Sequence, residues 1–110
     1  MKTFEFKGLP KMSLNKLYES RHWRHRKKMK DLYSLILMKH YHCIDCTKQY
    51  DVDYEFFFES QPLDSSNTAA MIKMIEDVLF EKDGYKVVRR ISTISNRGTK
   101  DLVRVTVKEL

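Results

Sequence analysis

Tyr50-Asp51-Val52-Asp53-Tyr54-Glu55-Phe56-Phe57-Phe58-Glu59 and the segment after Pro62 decide how this chain folds. The first run is rich in aromatic residues and partly alternates apolar with polar ones, so it reads as a strand. Beyond it the period changes. Met71, Ile72, Ile75, Val78 and Leu79 recur at helical spacing, from about Asn67, whose side chain can cap the helix, to about Phe80. Lys73, Glu76 and Asp77 fall on the opposite side of that helix, with Lys73 and Asp77 one turn apart. Towards the N-terminus, Thr3-Phe4-Glu5-Phe6-Lys7-Gly8 alternates and stops at Gly8 and Pro10, a short strand. Residues 13–18 follow as a loop. Residues 23 to about 40 read as a long helix carrying Met29, Leu32, Tyr33, Ile36 and Leu37 on one side. Towards the C-terminus, Lys82-Asp83-Gly84 is a turn. Residues 85–95 and 101–109 are two strands joined by Asn96-Arg97-Gly98-Thr99. The order β-α-β-α-β-β predicts an α+β fold, with two helices on one face of a small mixed sheet, in a single domain over residues 1–110.

The 110 residues suffice for one modest core, and 42% apolar, 33% charged and 12% aromatic residues exclude a disordered chain. A net charge of +6 concerns partners more than fold: phosphate backbones, anionic membranes or acidic proteins. No apolar run reaches bilayer length, and the first residues lack a signal-peptide core, so a cytoplasmic location is expected. Cys43 and Cys46 have Cys-x-x-Cys spacing, with His40 and His42 before them. A structural zinc site needs a second half that is missing, and a redox pair belongs between a strand and a helix; the thiols read as ordinary reduced loop cysteines.

Acids gather around the second helix in a basic chain. Asp64 precedes it, Asp77 lies on its polar side and Asp83 follows it, and these three can converge on a hard cation such as Mg²⁺. In phosphodiester cleavage such a metal polarises the phosphoryl oxygen and activates water, while a lysine, here Lys73, steadies developing charge. On spacing alone the plainer reading is favoured: Asp64 and Asn67 cap the helix, Lys73 and Asp77 form an exposed pair, and Asp83 serves a turn. Six of the ten residues from Arg21 to Lys30 are basic: Arg21, Arg24, Arg26, Lys27, Lys28 and Lys30. They suit contacts to a nucleic-acid backbone, with a solvated helix face as the alternative and Trp23 in the core.

Taken together, these segments resemble the RusA family of Holliday-junction resolvases, particularly its phage-borne members. The resemblance covers nearly the whole chain. It rests on Ser13-x-Asn15-x-x-Tyr18, Trp23-x-x-Arg26-Lys27-Lys28, Pro62-Leu63-Asp64-x-x-Asn67, Lys73-x-x-Glu76-Asp77 and Asp83-x-x-Lys86-x-Val88, in that order. It implies a homodimer in a bacterial host cell, of phage or prophage origin, that binds four-way DNA junctions and cuts them with Mg²⁺, for which Mn²⁺ can substitute. No membrane partner and no small-molecule substrate are expected. Carried onto this chain, the resemblance makes Asp64, Asp77 and Asp83 the metal ligands, assisted by Lys73. Asn15, Asn67 and the six basic residues become the DNA contacts. Ser66 stands where the family has a second aspartate. Of the family's acidic pair before the third strand, Asp83 takes the second place and Lys82 the first; a shift of one puts Asp83 first and Gly84 second. Two readings follow: a nuclease with a rearranged carboxylate set, Asp64, Asp77 and Asp83 aided by Glu76, or a module that binds branched DNA or a protein without cutting.

Overall fold

The structure, a computed structural model, describes the backbone of residues 1–13 and 23–110 and the side chains of residues 1–13 and 26–110. It is α+β: β1 (Lys2–Lys7), α1 (Trp23–Ile36), β2 (Tyr50–Phe58), α2 (Ala69–Leu79), β3 (Val88–Arg97) and β4 (Leu102–Glu109). The four strands form one mixed sheet in the order β1-β4-β2-β3. β4 runs antiparallel to both β1 and β2, whereas β2 and β3 are parallel, with α2 as the crossover between them. The two C-terminal strands are therefore not partners. β2 lies between them, and residues 98–101 carry the chain past its end.

β2 is central because its alternation fills both faces. Tyr50, Val52, Tyr54, Phe56 and Phe58 are buried beneath the helices, and the residues between them are half-buried on the open face. Val103, Val105 and Val107 of β4 and Phe6 of β1 continue the covered face. β1 and β3 are the edges, and β3 is the one with no buried residue. Arg89 and Arg90 lie on it, and charge there discourages unwanted pairing.

α1 meets the core through Tyr33, with Met29 packed there too, and Leu37 just past its end is buried one turn on. Ile36, expected in the same stripe, is 39% exposed on the flank of that seam. The Tyr33 hydroxyl donates to the Pro10 carbonyl at 2.6 Å, tying the chain after β1 to the helix; burial holds this phenol protonated. α1 ends at Ile36, and a 3₁₀ turn (Met38–His40) sets His40 edge-on to Phe4 and Phe6 of β1. Among the described residues, no helix is long and apolar enough to cross a membrane.

The Cys-x-x-Cys connector has a structural task. The last turn of a helix leaves carbonyls without partners. Here the His42 N–H reaches the Val78 carbonyl at 2.7 Å and the Ile44 N–H reaches that of Leu79 at 3.3 Å. His42 takes φ of 48°, in the left-handed region, to do so. Ile44 then bridges Phe80, and the Cys46 sulfur accepts the Lys82 N–H at 3.4 Å. Both cysteines are free thiols, and burial raises the pKa of Cys43.

Candidate functional site

α2 is buried on most of its circumference, and its solvent edge carries Lys73 and Asp77. They are four residues apart, so their side chains meet: Lys73 Nζ lies 3.3 Å from Asp77 Oδ1. The same ammonium lies 2.6 Å from Asp83 Oδ2. Asp83 arrives from the connector after α2, which Phe80 begins in extended backbone and the Cys46–Lys82 bond holds in place. The Val87 and Val88 N–H groups then both turn onto the Gly84 carbonyl before β3 starts. Two carboxylates from separate elements thus share one lysine. The Asp83 hydrogen bond, followed by the Asp77 charge, raises the Lys73 pKa, so the amine stays charged. Lys73 is more than half exposed, so these pairs add little stability. Their content is positional.

Beneath this group lies a second feature. Glu76, expected on the polar side of α2, is only 5% exposed. α2 is packed by the sheet on one side and by α1 and the 41–46 connector on others, which leaves too narrow a solvent edge for a third charged residue. Glu76 Oε2 accepts the Tyr54 hydroxyl at 2.8 Å, a buried contact between α2 and the middle of β2. Burial pushes the Glu76 pKa up to about 7; Asp83 and Asp77 add to the rise, while the Tyr54 bond and Lys73 oppose it. Burial likewise keeps Tyr54 a phenol well beyond its usual range. Sequence reading missed this pair. The available signal was a tyrosine at an inward position of β2 facing a helix whose apolar residues flank Glu76 on both sides, at Met74–Ile75 and Val78–Leu79.

Asp64 precedes a 3₁₀ turn (Ser65–Thr68) that leads into α2; its carbonyl accepts the Asn67 N–H at 2.8 Å, and its side chain caps nothing. Asn67 does not cap α2 either. The N-cap position falls to Thr68, whose hydroxyl instead donates to the Ser65 carbonyl and meets Thr93 of β3 at 2.9 Å. Ser66 is exposed. Arg26, Lys27, Lys28 and Lys30 are exposed along α1. Asn15, Tyr18 and Arg21 lie outside the described residues, as do the side chains of Trp23 and Arg24.

Mg²⁺ takes oxygen donors, commonly one or two carboxylates, with water and substrate completing its shell. Asp77 and Asp83 fit that requirement as a pair, and the Lys73 ammonium already sits between them as a cation. Asp64 is not in the group. At about 1.5 Å per residue, the helical rise from Ala69 to Asp77 alone separates the two ends by roughly 12 Å. Among the described residues, no three His, Cys, Asp or Glu side chains gather closely enough to hold a metal. A scan against protein-family models matches none, and no curated protein is significantly similar to the chain.

Proposed function

We propose that this chain is a RusA-like endonuclease of branched DNA whose working group is Lys73, Asp77 and Asp83. One observation carries the reading: carboxylates from α2 and from the connector before β3 converge on a single lysine in a protein of net charge +6. Exposed Arg26, Lys27, Lys28 and Lys30 supply cations along α1 for phosphates, and Arg89, Arg90 and Arg97 supply others along β3. The proposed enzyme acts as a homodimer, matching the two symmetric cuts a four-way junction needs, in the cytoplasm of a bacterial host cell, with a phage or prophage origin.

Asp77 and Asp83 would hold Mg²⁺ or Mn²⁺, which when bound polarises the phosphoryl oxygen and activates water. Lys73, one turn from Asp77 on α2, would offer its positive charge to the developing phosphorane-like oxygens. Glu76, part-protonated near neutral pH, limits the negative charge packed under the site, and Tyr54 fixes its carboxyl group.

The second reading, binding without cleavage, is favoured by Asp64 standing outside the group and by Ser66 adding no charge. A synthetic four-way junction with Mg²⁺ or Mn²⁺ separates the two. Symmetric nicks that disappear in Asp83→Asn support the nuclease. A junction bound with steep salt dependence but left intact in both metals supports the binding module. A chain that binds no DNA but captures a host protein ends the nuclease reading and gives the non-cleaving module a protein partner.

A further inference from the structure

The open face of the sheet, away from both helices, is charge-balanced through its middle. Arg104 lies between Glu55 and Glu5, at 3.5 and 4.0 Å, and Lys108 pairs with Asp53 at 2.6 Å, where Ser92 also bonds. At the end where β2 and β3 finish and β4 begins, the pattern changes. Phe57 and Leu102 are cross-strand partners and form an apolar floor. The turn between β3 and β4 forms the wall of a cavity of about 250 Å³, lined by Phe57, Gly98, Thr99, Lys100, Leu102 and Arg104.

Gly98 keeps this floor open. Its N–H donates to the Phe58 carbonyl at 2.9 Å, which draws its backbone onto Phe57; a Cβ there would lie 3.0 Å from the Phe57 Cβ. The charge of the cavity is one-sided. Its two charged lining residues are both cationic, and Arg104 is already engaged by the two glutamates and by the Phe57 ring, 5.8 Å from its guanidinium. Lys100 is exposed and makes no ion pair among the described residues. An aromatic face beside an uncommitted lysine, with no carboxylate in the lining, suits a flat ring joined to an anion. The volume is below the range usual for drug-sized ligands, so it admits one ring system and not a folded segment.

From this we infer that the cavity at the β3–β4 turn is a subsite for one unpaired nucleotide, its base stacked on Phe57 and its phosphate on Lys100. The inference rests on the branched-DNA reading, since flaps, gapped forks and a branch point opened by a bound protein present unpaired bases beside duplex. It adds a binding site on the face of the sheet opposite Lys73, Asp77 and Asp83.

The test is fluorescence anisotropy with labelled oligo-dT and with a duplex of equal length, at one fixed salt concentration, supplemented by quenching of 2-aminopurine placed in the single strand. Phe57→Leu keeps an apolar floor and removes the π face; it should weaken oligo-dT binding by about tenfold and leave duplex binding within twofold. Lys100→Glu should act in the same direction, and Phe57→Tyr should retain the quench. Unchanged oligo-dT binding in both Phe57→Leu and Lys100→Glu overturns the inference, and so does equal loss of duplex and single strand. Binding of duplex and junction but not oligo-dT by the unaltered protein removes this subsite alone, whereas absence of all DNA binding removes the branched-DNA reading itself. Phe57-dependent capture of a poly-glutamate peptide in place of oligo-dT would also overturn it, by assigning the cavity to acidic peptides.

Discussion

Replacing Glu76 with glutamine should make the protein more stable at neutral and alkaline pH, although it removes a buried hydrogen-bonded carboxylate. Glutamine keeps the carbonyl oxygen that the Tyr54 hydroxyl needs, at nearly the same place. What it removes is the cost of ionisation in a buried setting. Burial raises the Glu76 pKa from 4.5 to about 7 in the folded state. The unfolded chain ionises this group first, so the penalty on folding is absent below the unfolded pKa and grows as pH rises, levelling off above the folded pKa. Integrated over that window it reaches about 3 kcal/mol at pH 8 and vanishes near pH 4. Other carboxylates slope the opposite way. Asp53, held low by hydrogen bonds from Lys108 and Ser92, contributes stability that is lost as pH falls. The difference between Glu76→Gln and the unaltered protein isolates the one group. Urea unfolding at several pH values from 4 to 8 should give curves that coincide at the acid end and separate by ~2–3 kcal/mol at the other. A constant offset across that range, or a Gln variant less stable at pH 8, would refute the claim that burial governs this group.

Three further outcomes follow from the same geometry. Lys27→Glu combined with Lys28→Glu should weaken junction and duplex binding alike and lower the slope of log K against log salt by about one per lost phosphate contact; an unchanged slope removes α1 from the interface. Ser66→Asp adds a carboxylate at an exposed position of the turn before α2. If the chain is an attenuated nuclease, cleavage in Mg²⁺ should rise at least several-fold with junction affinity little changed, and no increase argues that the turn is not part of the centre. Tyr33→Phe removes the donor to the Pro10 carbonyl and should cost about 1 kcal/mol in denaturant unfolding. A neutral result would mean that water replaces the hydroxyl there.

The fold was legible because its elements obey simple periods. The β2 segment alternates, and α2 carries Met71, Ile75, Val78 and Leu79 at helical spacing, so both were readable from local pattern alone. Strand order was not, because it depends on which edges pair. Short connections favour hairpins, yet the β3–β4 link spans β2, whose aromatic side needs neighbours on both edges. For the site, Lys73 and Asp77 were legible from the helical i, i+4 rule, whereas their approach to Asp83 depends on the path of the connector. Glu76 was misplaced for a related reason. A helical wheel assigns one buried face, and α2 is covered on more than one, so a charge beside the apolar stripe goes inside and needs Tyr54. Asp64 and Asn67 looked like caps because that is the commonest use of those residues before a helix; the intervening 3₁₀ turn moves the capping position to Thr68.

Cys46 shows how a residue with no chemistry of its own can govern the candidate centre. Its sulfur accepts the Lys82 N–H, one residue before Asp83, and its S–H points to the Ile44 carbonyl at 3.5 Å. Hydrogen bonds to sulfur are weak, so Cys46→Ala should reduce global stability by at most about 1 kcal/mol. The segment from Phe80 to Gly84 nevertheless has few other ties between the Ile44 bridge and the turn at Gly84. Losing this one should free Asp83 from Lys73 for part of the time. Amide hydrogen exchange at Lys82 should accelerate by an order of magnitude while exchange in β2 and α2 stays at its global limit. Cys46→Ser, which restores an acceptor, should recover part of the protection, and any junction cleavage should follow the same ranking. Exchange at Lys82 that matches the unaltered protein in both variants would mean that the Lys73–Asp83 contact holds the connector, and not the reverse.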